Sequence, residues 1–297
     1  MKKRNIIWSA IILSAALGFS EACSKTDDAI PADSAADVGT MFFEIFHPAA
    51  TRVNDTQFES GDRIGLYVVE YGDDGSATPL QISGNWANNV PTAFDGASWT
   101  PEKKILWSEK AVDVYAYFPY MVPASIDENP FSVALDQNDG DGYEKSDFLW
   151  AKTAHATQED GAVPLGFSHC CSKLVVELVK GPSYEGDFPE VSDMYIHSTV
   201  PTATIDFTTG AVTKYLFGEM SSIKMKRIND GRFEAIIVPQ RVATRLPFIE
   251  FVSNGVSYLI EDTFNFKAGK QHTIRLTIAS NPDQVKIDIG GQVQQDW

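Results

Sequence analysis

Cys23 is the residue whose surroundings most clearly imply chemistry. Lys2-Lys3-Arg4 precedes an apolar run from Ile6 to Phe19, broken only by Ser9, Ser14 and Gly18, and Ser20-Glu21-Ala22 then leads into Cys23. A basic start, a short apolar core and small residues flanking the cut form a secretory leader. The run is too short for a comfortable membrane span. Residues 1–22 are therefore expected to be removed as a signal peptide. A cysteine at the new N-terminus predicts lipid attachment, which would hold the precursor in the outer membrane. Ser20 stands where such sites usually carry leucine, so cleavage without lipidation is the alternative.

The remaining candidates for chemistry are weak. Cys170 and Cys171 are neighbours; a bond between them would close a strained ring, and on an extended segment they point to opposite faces. They read as two inert residues on a strand. In the acidic stretch Asp136–Glu144, Asp136 and Asn138 fit a calcium loop but Gly140 and Asp141 do not, which leaves a solvated turn. The five histidines, His47, His155, His169, His197 and His272, have no zinc-like spacing. His169 reads as a hydrogen-bonded structural residue. There is no HExxH, GxSxG or glycine-rich phosphate loop. No catalytic residue, metal or cofactor is expected, and the chain is not expected to be an enzyme. The formal charge of −16 repels phosphate backbones, so nucleic acid is not an expected partner.

Strands must carry whatever this chain does. Residues 23–37 are polar, rich in Ala and Asp and non-periodic, which is the composition of a tether. Beyond them, short apolar alternations recur at Ile64–Val69, Val112–Phe118, Lys173–Val179, Phe233–Val238, Pro247–Val252, Val256–Ile260 and His272–Ile278. Val112-Val114-Ala116-Phe118 and Leu174-Val176-Leu178 show the period of two that half-buried strands need. Tyr115, Tyr117 and Tyr120 are then expected opposite the apolar face with wet hydroxyls, and Pro119 ends their strand. Gly72-Asp73-Asp74-Gly75, Asp95-Gly96, Asn229-Asp230-Gly231, Asn254-Gly255 and Ala268-Gly269 supply turns. The fold class is all-β, two tandem β-sandwich domains at residues 38–157 and 158–297, with the boundary in the polar stretch 152–162.

Several blocks, in order, resemble the fimbrillin (Mfa-like pilin) family. Phe58-Glu59-Ser60-Gly61-Asp62-Arg63-Ile64-Gly65 is similar to its F-x-x-G-D-x-I-G opening. Trp99 and Ile105-Leu106-Trp107 precede Val112–Tyr120, which resembles the family's tyrosine-rich strand. Ser146–Ala151, Leu165–Leu174, Ile237–Gln240 and Phe266–Lys270 continue the series. Each block is short; together they span nearly the whole mature chain.

The resemblance implies transthyretin-like, Greek-key sandwiches on an exported surface lipoprotein of Bacteroidota type, and Ser24-Lys25-Thr26-Asp27-Asp28 is similar to the acidic tag of such proteins. It further implies a pilus subunit, stalk or tip, that supports cell adhesion. A trypsin-like protease would cut after an arginine near the N-terminus, the first strand would leave, and a strand of another subunit would take its place. Met41, Phe43 and Ile45 fall on one face of the potential first strand, and Arg52 follows in a loop as the cut site. At the other end Val285, Ile287, Ile289, Val293 and Trp297 fall on one face, the pattern of a donor strand. Internal pairing of that segment is the alternative. Expected partners are other pilin subunits, outer-membrane lipid through Cys23, and host or bacterial surface ligands. A second reading is a monomeric surface lipoprotein that binds glycan through aromatics such as Trp86, Trp99 and Trp107.

Lipid attachment is tested by Cys23→Ala. The wild-type chain, expressed in a lipoprotein-processing host, should partition into detergent with the membrane fraction. The variant should move to the aqueous phase, and equal partitioning of both would sink the assignment.

Overall fold

Alternating apolar residues cut by turns give strands through most of the described chain. The computed structural model describes residues 39–47, 57–182, 184, 190–243, 245–253, 255–278 and 288–297, with the side chains of 288–292 excepted. Among these there is one short helix, Gly142–Ser146 (α1), and one 3₁₀ turn, Gln158–Asp160.

The largest sheet is antiparallel. Its order is Trp99–Pro101 (β4), Ala87–Phe94 (β3), Arg63–Glu70 (β2), Val112–Phe118 (β5), Leu149–Ala156 (β7) and Ser168–His169 (β9). Ile64, Leu66, Val68, Val112, Val114 and Ala116 face one apolar cluster, the N-terminal core. Tyr67, Val69, Tyr115 and Tyr117 face the other way, into a second and larger cluster. The expectation of wet tyrosines on β5 is therefore corrected. Tyr117 is 1% exposed and its hydroxyl donates to the Met121 carbonyl at 2.7 Å. Tyr115 is buried as well, and only Tyr120 stays half-buried, under the Arg63 guanidinium. Alternation tells which face of a strand is more apolar, but not whether a second layer covers the other face.

The second cluster lies between two further sheets. One has the order Lys226–Asn229 (β15), Arg232–Ile237 (β16), Ser172–Lys180 (β10), Lys270–Ile278 (β21) and Asp288–Asp296 (β22). At its centre β10 and β21 run parallel, from Ser172 opposite Lys270 to Lys180 opposite Ile278. The other sheet is Ser221–Lys224 (β14), Val191–Thr199 (β11), Pro247–Ser253 (β18) and Val256–Glu261 (β19). Leu174, Val176, Ile274 and Leu276 of the first meet Met194, Ile196, Ile249 and Phe251 of the second in one core. A small sheet of Ala211–Lys214 (β13), Thr202–Asp206 (β12) and Asn129–Ser132 (β6), and a pair, Gln240–Val242 (β17) with Phe264–Phe266 (β20), complete this part. One parallel pair stands apart, Phe43–Phe46 (β1) with Val163–Gly166 (β8).

The polar stretch 152–162 holds the end of β7 and the 3₁₀ turn. Beyond it, β8 and β9 still pair with β1 and β7. Ahead of it, β6 pairs with β12, and Tyr143 of α1 donates its hydroxyl to Glu234 Oε2 at 3.1 Å. The two clusters thus interleave along the chain on either side of that stretch.

Gly65 shows how closely the tyrosine face is packed. A Cβ there would lie 2.4 Å from the Tyr117 ring, so the strand interior needs glycine for close approach. Gly65→Ala should destabilise the protein by about 1–3 kcal/mol through overpacking. Denaturant titration followed by circular dichroism reads this directly, and an unchanged midpoint would refute it.

Candidate functional site

β1 is held along its edges. Thr40 bridges Leu106, the Met41 amide donates to the Ile105 carbonyl at 2.8 Å, and the Trp107 amide donates to the Gly39 carbonyl at 2.6 Å. On the other edge the Val163 amide donates to the Phe42 carbonyl at 2.8 Å and the Phe167 amide to the Phe46 carbonyl at 3.0 Å. Between these come the register pairs Phe43–Val163 through Phe46–Gly166. The ribbon sits in a groove between residues 105–107 and β8.

Its side chains sort by face as alternation requires. Met41 is 3% exposed, and Phe43 and Ile45 pack half-buried against the N-terminal core, whereas Phe42 and Phe46 are exposed. The structure thus places Met41, Phe43 and Ile45 together on the inner face. One full and two partial burials amount to roughly 3–6 kcal/mol of gross apolar stabilisation. Withdrawing the ribbon would uncover Ile105, Val163 and Leu165 and leave backbone groups on both edges unpaired.

Cys23, Arg52, Val285 and Ile287 lie outside the described residues. The residues on either side of the stretch that contains Arg52 are nonetheless in contact. The His47 ring meets the Phe58 ring edge-on at 4.9 Å, and Phe58 in turn touches Trp99, Phe118 and Phe167. Phe58, in the first family-like block, therefore anchors the chain independently of β1.

The C-terminal segment is an edge strand. β22 pairs antiparallel with β21, with Leu276 opposite Ile289 and Thr273 opposite Val293. A register shift between Thr273 and Arg275, across from Gly291-Gln292, inserts an extra residue into β22. The expected single apolar face is therefore corrected: Ile289 and Val293 sit at positions of opposite face, and Val293 is 49% exposed. At the end of the strand the Trp297 amide donates to the Gly269 carbonyl at 3.2 Å, and Lys270 pairs with Asp296.

Trp297 was legible only as one more apolar position; the structure gives it a specific seat. Its ring stacks on His169 at 3.8 Å and 8°. His169 is buried and donates from Nδ1 to Asp147 Oδ1 at 3.0 Å. The Lys173 ammonium lies 5.8 Å from the Trp297 ring and pairs with Glu234 at 2.9 Å, both groups buried. No sequence spacing announces this arrangement, because His169, Lys173 and Trp297 meet through three different strands or strand ends.

Other candidates are chemically quiet. Burial, then the nearby Asp147 carboxylate, pushes the Cys170 thiol up to about 12, and Cys171 is raised too. Neither offers a thiolate near neutral pH. In the acidic stretch Asp136 accepts from the Asn138 amide, Asn138 from the Arg227 amide, and Asp141 pairs with Lys145. No cluster of His, Cys, Asp and Glu among the described residues could hold a metal. Of the three tryptophans considered for glycan, Trp99 stacks on Phe94 and Trp107 packs on the N-terminal core. Only Trp86 is open, at 46%, with its indole N–H donated to the Leu106 carbonyl.

The fimbrillin-like family model matches residues 51–297. No curated relative matches the chain. Among solved structures, a candidate cell adhesion protein from Bacteroides uniformis shares the fold at a TM-score of 0.65 and 22% identity, covering 87% of this chain and 99% of that one. A candidate cell adhesion protein from Bacteroides ovatus gives 0.62 at 19% identity, covering 87% and 98%. A fimbrial protein from Bacteroides vulgatus gives 0.53 at 15%, covering 87% and 99%.

β21, which carries the C-terminal strand, contains the buried His272, whose Nε2 accepts from the Lys267 amide. Burial and then the Lys267 charge lower its pKa from 6.5 to about 4. The folded form holds the ring neutral, so this contribution is complete above about pH 6.5 and is lost as pH falls through 4. Denaturation midpoints should decline over that window, and His272→Gln should flatten part of the decline. An identical pH slope in both proteins would contradict this.

Proposed function

This chain belongs to the fimbrillin-like family, and from that premise we propose that it is a structural subunit of a surface pilus that supports cell adhesion. It travels as a lipoprotein anchored in the outer membrane through Cys23. A trypsin-like protease cuts after Arg52, and β1 leaves with Met41, Phe43 and Ile45. A strand from another subunit then fills the groove between residues 105–107 and β8. This chain's own Val285–Trp297 segment is the candidate strand for the next groove.

The observation that carries the reading is the seating of β1. It closes the N-terminal core with Met41 buried, yet its partners along both edges are backbone groups of segments that stay behind. Such a ribbon is replaceable by any strand that alternates correctly, because the ladder is indifferent to sequence and only the inner side chains must fit. A foreign strand regains the apolar burial and satisfies the opened edges, less the entropy of ordering it. Trp86 alone supports the glycan-binding alternative, which requires no processing.

Limited digestion with trypsin separates the two. The pilin reading expects a stable product beginning at Val53 that polymerises, or that binds a synthetic peptide of residues 285–297 one to one. Arg52→Ala should block both conversions. A Val53 product that stays monomeric and ignores added strands would rule out the exchange.

A further inference from the structure

We infer that Trp297 is the latch that keeps the C-terminal strand on its own molecule, and that the latch is released when β1 departs. The use of that release rests on the strand-exchange reading above; the latch itself stands on contacts in the uncut chain.

β22 is held from one side, by its ladder with β21 and the Lys270–Asp296 pair. It lies at the edge of its sheet with one neighbour, and its ladder is interrupted at Gly291-Gln292, where glycine adds conformational freedom to be lost. Val293 is half exposed. Trp297 is the one large ring at its described end, and it lies flat on His169. The seat is also incomplete. The Trp297 indole N–H is buried with no acceptor among the described residues, so part of the stacking gain is offset by an unmade hydrogen bond. A contact of this kind holds a strand and still lets it go.

The platform belongs to the N-terminal side of the molecule. His169 is in β9, paired with Leu149 of β7 and fixed by Asp147. The segment that delivers it, residues 163–169, lies along the ribbon through the β1–β8 ladder, with the Val163 amide donating to the Phe42 carbonyl and the Phe167 amide to the Phe46 carbonyl. The next residue of the ribbon, His47, sets its ring edge-on to His169 at 5.9 Å. Loss of β1 therefore removes the acceptor of Phe167, two residues before the platform, and the ring beside the platform itself. A groove vacated at one end of the chain loosens the strand at the other, so a subunit becomes a ready donor once it has become an acceptor.

Amide hydrogen exchange in the uncut full chain tests this without invoking assembly. Trp297→Ala should speed exchange of the β22 amides and their β21 partners roughly three- to tenfold, the range that loss of one stacked ring supports. Trp297→Phe should restore most of the protection, which a general folding defect would not allow. His47→Ala, which leaves the β22 ladder untouched, should speed the same amides in the same direction. Unchanged β22 exchange in either alanine variant overturns the inference. Failure of the Val53 product to bind added strands would instead count against the exchange reading alone.

Discussion

The N-terminal core is closed by a strand that reaches its neighbours only through main-chain edges and one row of side chains. Met41 is buried as deeply as residues of the central sheet, but the bonds that place it run to the Ile105 carbonyl and, through β1, to β8. Removing such an element takes away the strand partner of β8 and leaves the ladders of the other sheets in place. The six-stranded sheet keeps its ladders, and Phe58 loses the His47 ring but keeps Trp99, Phe118 and Phe167. The cost falls on one apolar groove and the backbone edges that faced the ribbon.

The sheet beneath this groove is buried on both faces, and that sets the polar chemistry of the molecule. Asp113 sits on β5 at 3% exposure. Burial alone would raise its pKa, but Lys152 at 2.8 Å, the His155 amide and the Tyr71 hydroxyl hold it below the usual range. On the five-stranded sheet Lys173, Glu234 and Arg232 form a connected group that Tyr143 completes. Breaking one member of such a set strands a buried charge, so these residues fix how the layers meet. The Trp297 seat lies beside that group, its ring 5.8 Å from the Lys173 ammonium.

Much of this was legible beforehand. Val112–Phe118 is a strand with the bounds that alternation gave, and Pro247–Val252 and Val256–Ile260 differ by one residue at the end. Gly75, Gly96, Gly255 and Gly269 adopt positive φ in turns that their sequence marked. The sorting of Met41, Phe43 and Ile45 from Phe42 and Phe46 was also visible. These features are local, since strand pleat and glycine φ depend on near neighbours in the chain. The tyrosines of β5 are buried, contrary to expectation, because a second layer is invisible to a periodicity of two. The C-terminal strand departs from a single face because a bulge breaks its alternation, and a period of two does not show a bulge.

By itself, the sequence determined that the chain is built of strands, and which residues of the first ribbon face inward. Only the tertiary structure decided that β1 pairs parallel with β8, more than a hundred residues away, and that His169, Lys173 and Trp297 form one seat. The physical reason is range. Alternation and turn chemistry act over a few residues, whereas strand order and the meeting of three distant side chains are settled by which surfaces bury each other best when the whole chain packs.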